Sequence, residues 1–418
     1  MWCRLLKFSN ESSVRLWRPI WTQYRNMTSI STDSQLKYYD IGLNLTDPMF
    51  QGVYNGKQYH AADVRKVLER AAQRNVKVAL VTGSSIVESQ SAIELIDSIE
   101  GRSALKLYHT IGVHPCCVNE FADAGQEDKP SASIDSPSMD ETYNESLHGK
   151  VISDPSFAQA KLKELFQLMD QQSRKHVGSF RSIGEIGLDY DRFHYSSKDM
   201  QMLFFEEQLK ISCLNDKLSR YPLFLHMRSA CDDFIQILQK FITGFTDEKD
   251  IFKLQQLGSS SPSGFYKFHS DKKLVVHSFT GSMIDLQKIL NLSPNIFIGI
   301  NGCSLRSEEN IAVVKQIPIQ RLLLETDAPW CEIKRTHESF QYLANHQKIK
   351  DFEYPAFKSV KKNKLADKLD ADELYMVKGR NEPCNMEQVA IVVSEVKGVD
   401  LAMLVDATWK TTCEIFGE

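Results

Sequence analysis

Short runs of β-branched and aliphatic residues recur along this chain, and most are followed by a segment with helical periodicity. Alternating strands and helices predict a parallel sheet, because parallel neighbours need a crossover connection. Eight such units over about 300 residues favour a (β/α)8 TIM barrel with inserted loops over an open doubly wound sheet. The predicted strands are Leu36–Leu43, Val76–Gly83, Leu107–His114, Phe180–Asp189, Tyr221–Arg228, Lys273–Thr280, Asn295–Asn301 and Arg321–Asp327.

Amphipathic segments lie between these strands and predict helices within residues 60–75, 161–175 and 198–214. No predicted strand is followed by a Gly-x-Gly-x-x-Gly fingerprint or a Walker-type lysine loop. The α/β pattern therefore favours the barrel over a dinucleotide-binding or P-loop fold.

Composition bounds the class of protein. With 42% hydrophobic and 25% charged residues in 418, the chain can bury a large core. Its net charge of −4 excludes a generally basic surface, so a polyanion would be held only at a local site. The nine cysteines are scattered and form no Cys-x-x-Cys, which indicates a reducing compartment and argues against a zinc ribbon. No run of about 18 uncharged apolar residues occurs, so we expect no membrane span.

Residues 1–34 differ from the rest, which we expect to form one hydrolase domain over 35–418. They hold five basic residues and one acid up to Ser31, which resembles a mitochondrial transit peptide. The alternative is a disordered extension, and Met27 could start a form without it. We expect a cytoplasmic protein, with the nucleus as a further location and mitochondria as the alternative.

Three stretches have the composition of insertions, and they fall near residues 121–146, 246–270 and 357–379. The first is rich in serine, proline and acids and predicts a disordered acidic loop. The third is lysine-rich, and a solvated face is favoured over contact with phosphates.

Ionisable side chains end five of the predicted strands. A single histidine in such a place is usually a core or loop group, but here the carboxyl ends of all strands of a barrel would share one rim. A buried, unpaired carboxylate such as Glu185 in GEIGLD is also costly. The strand-end residues are His114, Glu185, Asp189, His226, Arg228, His277, Glu325 and Asp327.

Carboxylates and imidazoles together suit Mg²⁺, Mn²⁺ or Zn²⁺. Coordination would offset the desolvation of Glu185 and Asp327. A bound ion lowers the pKa of water from about 15.7 toward about 7, so hydrolysis is the reaction class that this pattern favours.

A series of short motifs makes the chain similar to one known protein family. From about Asp40 to the C-terminus, and interrupted by the three insertions, the chain resembles the TatD family of metal-dependent deoxyribonucleases, in its eukaryotic branch. The resemblance implies a TIM barrel of the metal-dependent hydrolase superfamily and 3′→5′ exonuclease activity on DNA. The motifs are DIGLNLTDPMF (40–50), TGSS (82–85), GVHP (112–115), IGEIGLDYDR (183–192), FLHMR (224–228), VVHSFTG (275–281), GINGCSL (299–305), ETDAPW (325–330) and RNEPCN (380–385).

The resemblance also implies roles for individual residues. Glu185 corresponds to a metal-bridging glutamate, and His226 and His277 to histidine ligands. Asp327 corresponds to the aspartate that binds metal or handles the proton of the attacking water, and His114 to a histidine near the substrate phosphate.

Supporting residues are less specific. Arg228 and Arg380 are candidates for phosphate binding, with an ion pair, to Glu382 in the case of Arg380, as the alternative. Four acids, Asp189, Glu325, Glu382 and Asp40, are expected to orient neighbouring groups.

One departure concerns the metal. Many relatives have His-x-His at the end of the first strand, where this chain has Gly42 and Asn44. The side-chain oxygen of Asn44 makes it a candidate for a second metal site and favours Mg²⁺ as the ion. We expect one or two ions, the second arriving only with the substrate.

The leading hypothesis is thus a divalent-metal-dependent deoxyribonuclease with DNA as its partner, assumed monomeric. In a second hypothesis the same metal-activated water hydrolyses an amide or ester bond, and the protein is an amidohydrolase, lactonase or aminoacyl-tRNA deacylase. The absence of His-x-His weakens it. A third is a non-catalytic interaction protein on a barrel scaffold, and the retention of the other ligand positions argues against it.

Overall fold

The structure is a computed structural model, and it describes residues 36–122, 141–175, 178–258, 264–345, 357–368 and 373–418. These residues belong to one compact unit, Leu36–Glu418. The predicted N-terminal extension, residues 1–34, lies outside the described residues.

Eight parallel strands form the central sheet and follow one another in chain order. The sheet nearly closes into a barrel, because Ala328 after the last strand bridges to Leu43 at the end of the first. Two backbone hydrogen bonds hold this junction, from Asn44 to Ala328 and from Asp327 to Gly42, each 2.8 Å long. The predicted TIM barrel is confirmed. Its strands are β1 (Tyr38–Leu43), β2 (Val76–Val81), β3 (Lys106–Ile111), β4 (Phe180–Asp189), β5 (Leu223–Arg228), β6 (Leu274–Val276), β7 (Ile296–Ile300) and β8 (Leu322–Leu324).

Helices connect the strands, and side-chain caps start several of them. Ser85, Ser197 and Ser307 each accept a hydrogen bond from the backbone N–H three residues on, which satisfies a donor of the first turn. The predicted segments 60–75 and 198–214 contain α1 and α5, and 161–175 overlaps α4, which begins five residues earlier at Ser156. The helices are α1 (Val64–Gln73), α2 (Ile86–Ile99), α3 (Glu141–Ser153), α4 (Ser156–Ser173), α5 (Lys198–Ile211), α6 (Asp216–Arg220), α7 (Cys231–Thr243), α8 (Met283–Leu292), α9 (Glu308–Gln316), α10 (Phe340–Asn345), α11 (Met386–Lys397) and α12 (Leu401–Phe416).

Two apolar clusters divide the core. The larger lies between the sheet and the helices, and the smaller combines strand residues such as Ile41, Phe224 and Val275 with side chains of α12. Trp409 and Phe416 of α12 thus pack against strand residues of the smaller cluster. Lys37, just before β1, lies over the Trp409 ring at 4.1 Å, so α12 packs at the amino end of that strand.

The insertions are more ordered than predicted where they are described. Residues 123–140 of the first lie outside the described residues, but Glu141–Ser153 forms α3, so the expected disordered loop over 121–146 was drawn too long. The second contains an antiparallel pair of Phe245–Thr246 with Phe265–Tyr266. The third buries Leu365 and Val377 against Tyr54, so it is not only a solvated lysine-rich face.

None of the helices in the described parts of the chain combines the length and apolar character that crossing a bilayer requires.

Candidate active site

Alternation along the strands explains where the polar side chains meet. Phe224, Val275 and Leu323 belong to the smaller apolar cluster, and in each strand the next residue on the same face is polar. Those polar residues are His226, His277 and Glu325. The smaller cluster is therefore apolar near α12 and gives way to imidazoles and carboxylates at the carboxyl ends of the strands.

Glu185 reaches this position through an irregularity in β4. The pairing of β4 with β5 shifts between Ile183 and Ile186, which places an additional residue in β4. Such a bulge changes the direction of a side chain. The flanking glycines are required, because a Cβ on Gly184 would lie 2.2 Å from the Phe224 carbonyl oxygen and one on Gly187 1.9 Å from that of His226. The GEIG sequence therefore permits the close approach that sets Glu185 at the rim.

Three imidazoles converge on one oxygen of Glu185. Its Oε1 lies 2.6 Å from His277 Nε2, 2.9 Å from His226 Nδ1 and 3.4 Å from His114 Nε2. Atoms of His114, Glu185 and His226 that can ligate a metal all lie within 4.8 Å of one another. We call His114, Glu185, His226 and His277 the imidazole cluster.

A second layer of carboxylates holds the imidazole cluster. Asp189 Oδ2 lies 3.1 Å from His226 Nε2, and the Arg228 guanidinium donates to both oxygens of Asp189 at 2.8 and 2.7 Å. On the other side, Glu325 Oε2 lies 3.6 Å from His277 Nδ1. Neither of these two atoms has a hydrogen-bond partner within the described residues. Asp189 and Glu325 thus have the geometry expected of groups that orient ligands.

Asp327 lies beside the imidazole cluster and makes contacts of its own. Asn44 Nδ2 donates to its Oδ1 at 3.0 Å, and Cys331 Sγ lies 3.3 Å from its Oδ2. The Asn44 oxygen accepts a hydrogen bond from Thr82 Oγ1 at 2.5 Å. Asn44 therefore positions Asp327 in this arrangement. The side-chain oxygen of Asn44, which the sequence made a candidate ligand of a second metal, accepts the hydrogen bond from Thr82.

Gly42, the other residue in the place of His-x-His, faces Glu325. A Cβ at Gly42 would lie 2.9 Å from Glu325 Oε2. Glu325 is itself fixed, since its Oε1 accepts from Ser278 N at 2.5 Å and from Asn301 Nδ2 at 3.1 Å. A histidine at position 42 would therefore need Glu325 to move.

Two residues at the rim have left-handed backbone conformations. Ser278 follows His277 with φ of 48°, and Asp327 has φ of 54°. Such conformations are unfavourable for residues other than glycine and concentrate at functional sites.

The charges of the cluster shift its pKa values. Burial acts to raise the pKa of Glu185, but His277, His114 and His226 outweigh it and hold that pKa well below its usual range. Burial acts to lower the pKa of His277, but Glu185 and Glu325 raise it well above the ordinary value. The pKa of His114 falls to about 4 through burial, and that of Asp327 rises to about 6 for the same reason. The negative charges of Glu185 and Glu325 therefore favour the protonated, positively charged form of His277.

A second convergent group shares one histidine with the cluster. His114, Cys116 and Asp189 also have ligand atoms within 4.8 Å of one another. Burial raises the pKa of the Cys116 thiol to about 12, so a thiolate ligand is disfavoured at neutral pH. The group around Glu185 is the stronger metal candidate.

Arg380 and Glu382 belong to a different network. The Arg380 guanidinium contacts both oxygens of Asp63 at 2.7 Å and Glu382 at 2.8 Å, and Arg70 contacts Glu382 at 2.6 Å and Asp63 at 3.2 Å. All four side chains are buried. We call Asp63, Arg70, Arg380 and Glu382 the arginine cluster. The sequence allowed Arg380 either a phosphate or an ion pair with Glu382, and the structure shows the ion pair. We therefore do not assign Arg380 to the phosphate site.

Asp40 ties β1 to the end of β8. Its oxygens accept from the Gly42 N–H at 3.2 Å, the Thr326 N–H at 2.9 Å and the Thr326 hydroxyl at 2.5 Å. Burial raises its pKa to about 7. Asp40 therefore positions the backbone that carries Asp327.

Sequence reasoning missed several residues around the site. Thr82, Asn301 and Cys331 contact Asn44, Glu325 and Asp327, and Cys331 Sγ also lies 2.6 Å from Cys303 Sγ. Thr82 and Asn301 did lie inside recognised motifs, TGSS and GINGCSL, but as uncharged residues they gave no chemical signal of their own.

Comparisons with known proteins agree with this geometry. The sequence model of the TatD related DNase family matches residues 39–417. The chain is 80% identical to a Saccharomyces cerevisiae protein named Deoxyribonuclease Tat-D, over 100% of both chains. It is 29% identical to the 3′-5′ ssDNA/RNA exonuclease TatD of Erwinia tasmaniensis, over 70% of this chain and 80% of that protein.

A solved structure, described as an uncharacterized amidohydrolase from Saccharomyces cerevisiae, has 78% identity and a TM-score of 0.85 over 91% of this chain and 100% of the other. The barrel, the polar strand ends and these similarities lead to one conclusion. The chain is a hydrolase and belongs to the family of TatD-related DNases.

Proposed function

We propose that this protein is a divalent-metal-dependent deoxyribonuclease that hydrolyses DNA phosphodiester bonds as a 3′→5′ exonuclease. The observation that carries the proposal is the sharing of Glu185 Oε1 by three imidazoles at the carboxyl rim of the barrel. The named activities of the Saccharomyces cerevisiae and Erwinia tasmaniensis relatives support it.

The charge balance of the pocket fits a cation. Glu185, Asp189, Glu325 and Asp327 bring four carboxylates to the rim, and Arg228 is the one arginine that contacts them among the described residues. His277 Nδ1 faces Glu325 Oε2 at 3.6 Å, which leaves the Nε2 side of the ring directed at Glu185. Carboxylates suit Mg²⁺ and Mn²⁺ whereas imidazoles suit Zn²⁺, so this donor set admits each of the three ions that the sequence allowed, with Mg²⁺ favoured there.

Glu185, His226 and His277 would hold the ion, with His114 and Asp327 beside them. When bound, the ion supplies a Lewis acid for the phosphoryl oxygen and makes water a stronger acid. Asp189 and Glu325 fix the rings of His226 and His277.

The protein's own residues supply the remaining functions. Asp327, fixed by Asn44, is placed to accept a proton at its second oxygen. Arg228 keeps about a third of its side chain exposed, so its guanidinium can also contact a phosphate.

The test is nucleotide release from single-stranded DNA labelled at its 3′ end, with and without chelator. We expect release only with Mg²⁺, Mn²⁺ or Zn²⁺ added, progressive shortening of a 5′-labelled strand, and loss of release in Glu185→Gln. Glu164→Gln is the matched control, since Glu164 is an exposed acid paired to Lys161 on α4. Equal release by Glu185→Gln and the unaltered protein would refute the proposal.

A second candidate has one observation in its favour. Three imidazoles around a carboxylate also suit zinc-dependent amide or ester hydrolysis. Turnover of lactone, lactam or aminoacyl ester substrates with Zn²⁺, together with inactivity on DNA, would favour this candidate.

A further inference from the structure

Trp330 is exposed next to the candidate active site. Its side chain is 47% exposed, although tryptophan is among the residues that gain most from burial. Within the described parts of the chain, the ring stacks on no other aromatic group and lies under no cation. A large apolar face is therefore presented to solvent three residues after Asp327.

The backbone beneath Trp330 is fixed. Its N–H donates to the Asp327 carbonyl at 2.9 Å, and its own carbonyl accepts from Asn381 Nδ2 at 2.7 Å. Asn381 also donates to the carbonyls of Thr326 at 3.0 Å and Pro329 at 2.9 Å. The ring is thus attached to the same rigid segment that positions Asp327, so a group stacked on it would be held near the imidazole cluster.

Two cations lie in neighbouring loops. The Arg306 carbonyl accepts from the Glu338 N–H at 3.1 Å, which brings the loop after β7 against the segment after β8. The hydrogen bond with Cys331 lowers the pKa of the Cys303 thiol, and the positive charges of Arg306 and Lys334 act in the same direction. Both cations therefore lie near Cys303.

Neither cation forms a salt bridge with a carboxylate in the part of the chain that the structure describes. Glu332 and Glu338 are the acids of the same segment, and Lys334 is close enough to Glu332 to act on its pKa. Both cations are exposed, so they are free to contact an anion from solvent.

We propose that Trp330 stacks on an unpaired nucleobase of the substrate, and that Arg306 and Lys334 contact the phosphates beside that base. The inference rests on the proposed nuclease function and adds the part of the site that selects a nucleic acid strand. Stacking on an aromatic side chain is available to every base, and basic side chains follow the backbone. Bases inside a duplex have both faces covered by their neighbours, so we expect an unpaired base, which can leave the stack, to occupy this position.

The first test separates stacking from structure. Trp330→Leu keeps an apolar side chain but removes the extended ring, whereas Trp330→Phe keeps a ring. For a single-stranded oligonucleotide we expect the KM of Trp330→Leu to rise about 10-fold with kcat unchanged, and Trp330→Phe to recover most of the loss. An oligonucleotide with abasic residues at its 3′ end should be cleaved equally by all three proteins. Phe265→Leu is the matched control, since Phe265 is 44% exposed but follows α7, at the opposite end of the barrel.

The second test concerns the phosphates. Arg306→Gln and Lys334→Gln should each reduce the slope of log affinity against log salt by about 0.7, measured for single-stranded DNA on the Glu185→Gln background. Trp330→Leu should leave this slope unchanged, because stacking releases no counterion.

The outcomes distinguish this inference from the proposed function. If no metal ion supports DNA cleavage by the unaltered protein, the proposed function fails. If cleavage is metal-dependent and Glu185-dependent but Trp330→Leu is normal, only the inference fails. Equal losses on normal and abasic oligonucleotides would also overturn it, because Trp330 would then act through the loop.

Discussion

Two buried charged clusters of this protein differ in how their charge is balanced. The arginine cluster contains two guanidiniums and two carboxylates, all at hydrogen-bond distance and all buried. The imidazole cluster gathers three histidines on one glutamate, with further carboxylates behind them. In the first, two positive charges balance two negative ones, whereas the second sets four carboxylates against Arg228 and three histidines that carry charge only when protonated. A buried cluster that is not neutral by itself indicates a ligand, and a neutral one indicates a structural role.

The largest effect should come from the imidazole cluster. Glu185→Gln keeps the shape of the side chain but removes the charge on which three histidines converge. We expect DNA cleavage to fall by at least about 1,000-fold, with a loss of thermal stability smaller than that of breaking the arginine cluster, because the amide oxygen of glutamine can still accept hydrogen bonds from the histidines. The measurements are nucleotide release and thermal unfolding of the same preparation. A large fall in melting temperature would mean that Glu185 is structural.

The arginine cluster should respond in the opposite way. Arg380→Met leaves Asp63 and Glu382 with one guanidinium between them, and breaking a buried pair costs about 3–5 kcal/mol. We expect a lower urea midpoint with an unchanged KM for DNA in the folded fraction. Arg380→Lys, which keeps a charge but not the bidentate contact, serves if the methionine variant does not fold. A raised KM without loss of stability would instead return Arg380 to the phosphate site.

A smaller effect should follow from the carboxylates behind the histidines. Asp189→Asn weakens the contacts to His226 and Arg228, and partners of this kind usually change activity by about 10- to 100-fold. Asp191→Asn is the matched control, since Asp191 is exposed and reaches Arg228 only at 3.6 Å. Kinetic analysis of the two variants at saturating metal should show a loss only for Asp189. Equal losses in both would indicate a general effect of charge near Arg228.

The smallest effect should come from the buried amine of Lys272, which belongs to neither of the two clusters. Lys272 is buried, its amine donates to the carbonyls of Ser212 and Leu218, and burial lowers its pKa to about 8. Between that value and about 10.5 the unfolded chain binds more protons, so raising the pH stabilises the folded state. From pH 7.5 to 9.5 the unaltered protein should gain about 1 to 2 kcal/mol over Lys272→Met.

Urea unfolding of both proteins at the two pH values checks this prediction. Titratable groups that are present in both proteins change the two free energies of unfolding equally, so their effects cancel when one is subtracted from the other. A constant difference would mean that the folded amine stays protonated up to pH 9.5, so that burial does not lower its pKa.

Much of the fold could be predicted from the sequence. All eight strands lie within or overlap the predicted runs, because burial between a barrel interior and a layer of helices requires continuous apolar segments. The ends were less accurate: β6 stops at Val276 and β8 at Leu324, where the prediction ran to Thr280 and Asp327. Single backbone hydrogen bonds continue past these ends, from His277 to Leu225 and from Asp327 to Gly42, but the regular ladder does not, and no residue type in the sequence marks where it stops.

The candidate site divides in the same way. His226, His277 and Glu185 could be placed together from the sequence, because strand ends of a parallel barrel share one rim. The engagement of Asn44 by Thr82 could not be predicted, nor could the contact between Cys331 and Asp327. Uncharged polar side chains pair according to local distances that only packing fixes.

By itself, the sequence determined the alternation of strand and helix and the chemistry at the strand ends. Both are local properties, since the period of a strand and the residue that ends it can be read within a few positions. The tertiary structure decided which charges pair with which. Arg380 and Asp63 are 317 positions apart and meet only because the barrel closes between β8 and β1. Pairing over such a separation depends on closure, and the residue types alone allowed Arg380 either a phosphate or a carboxylate.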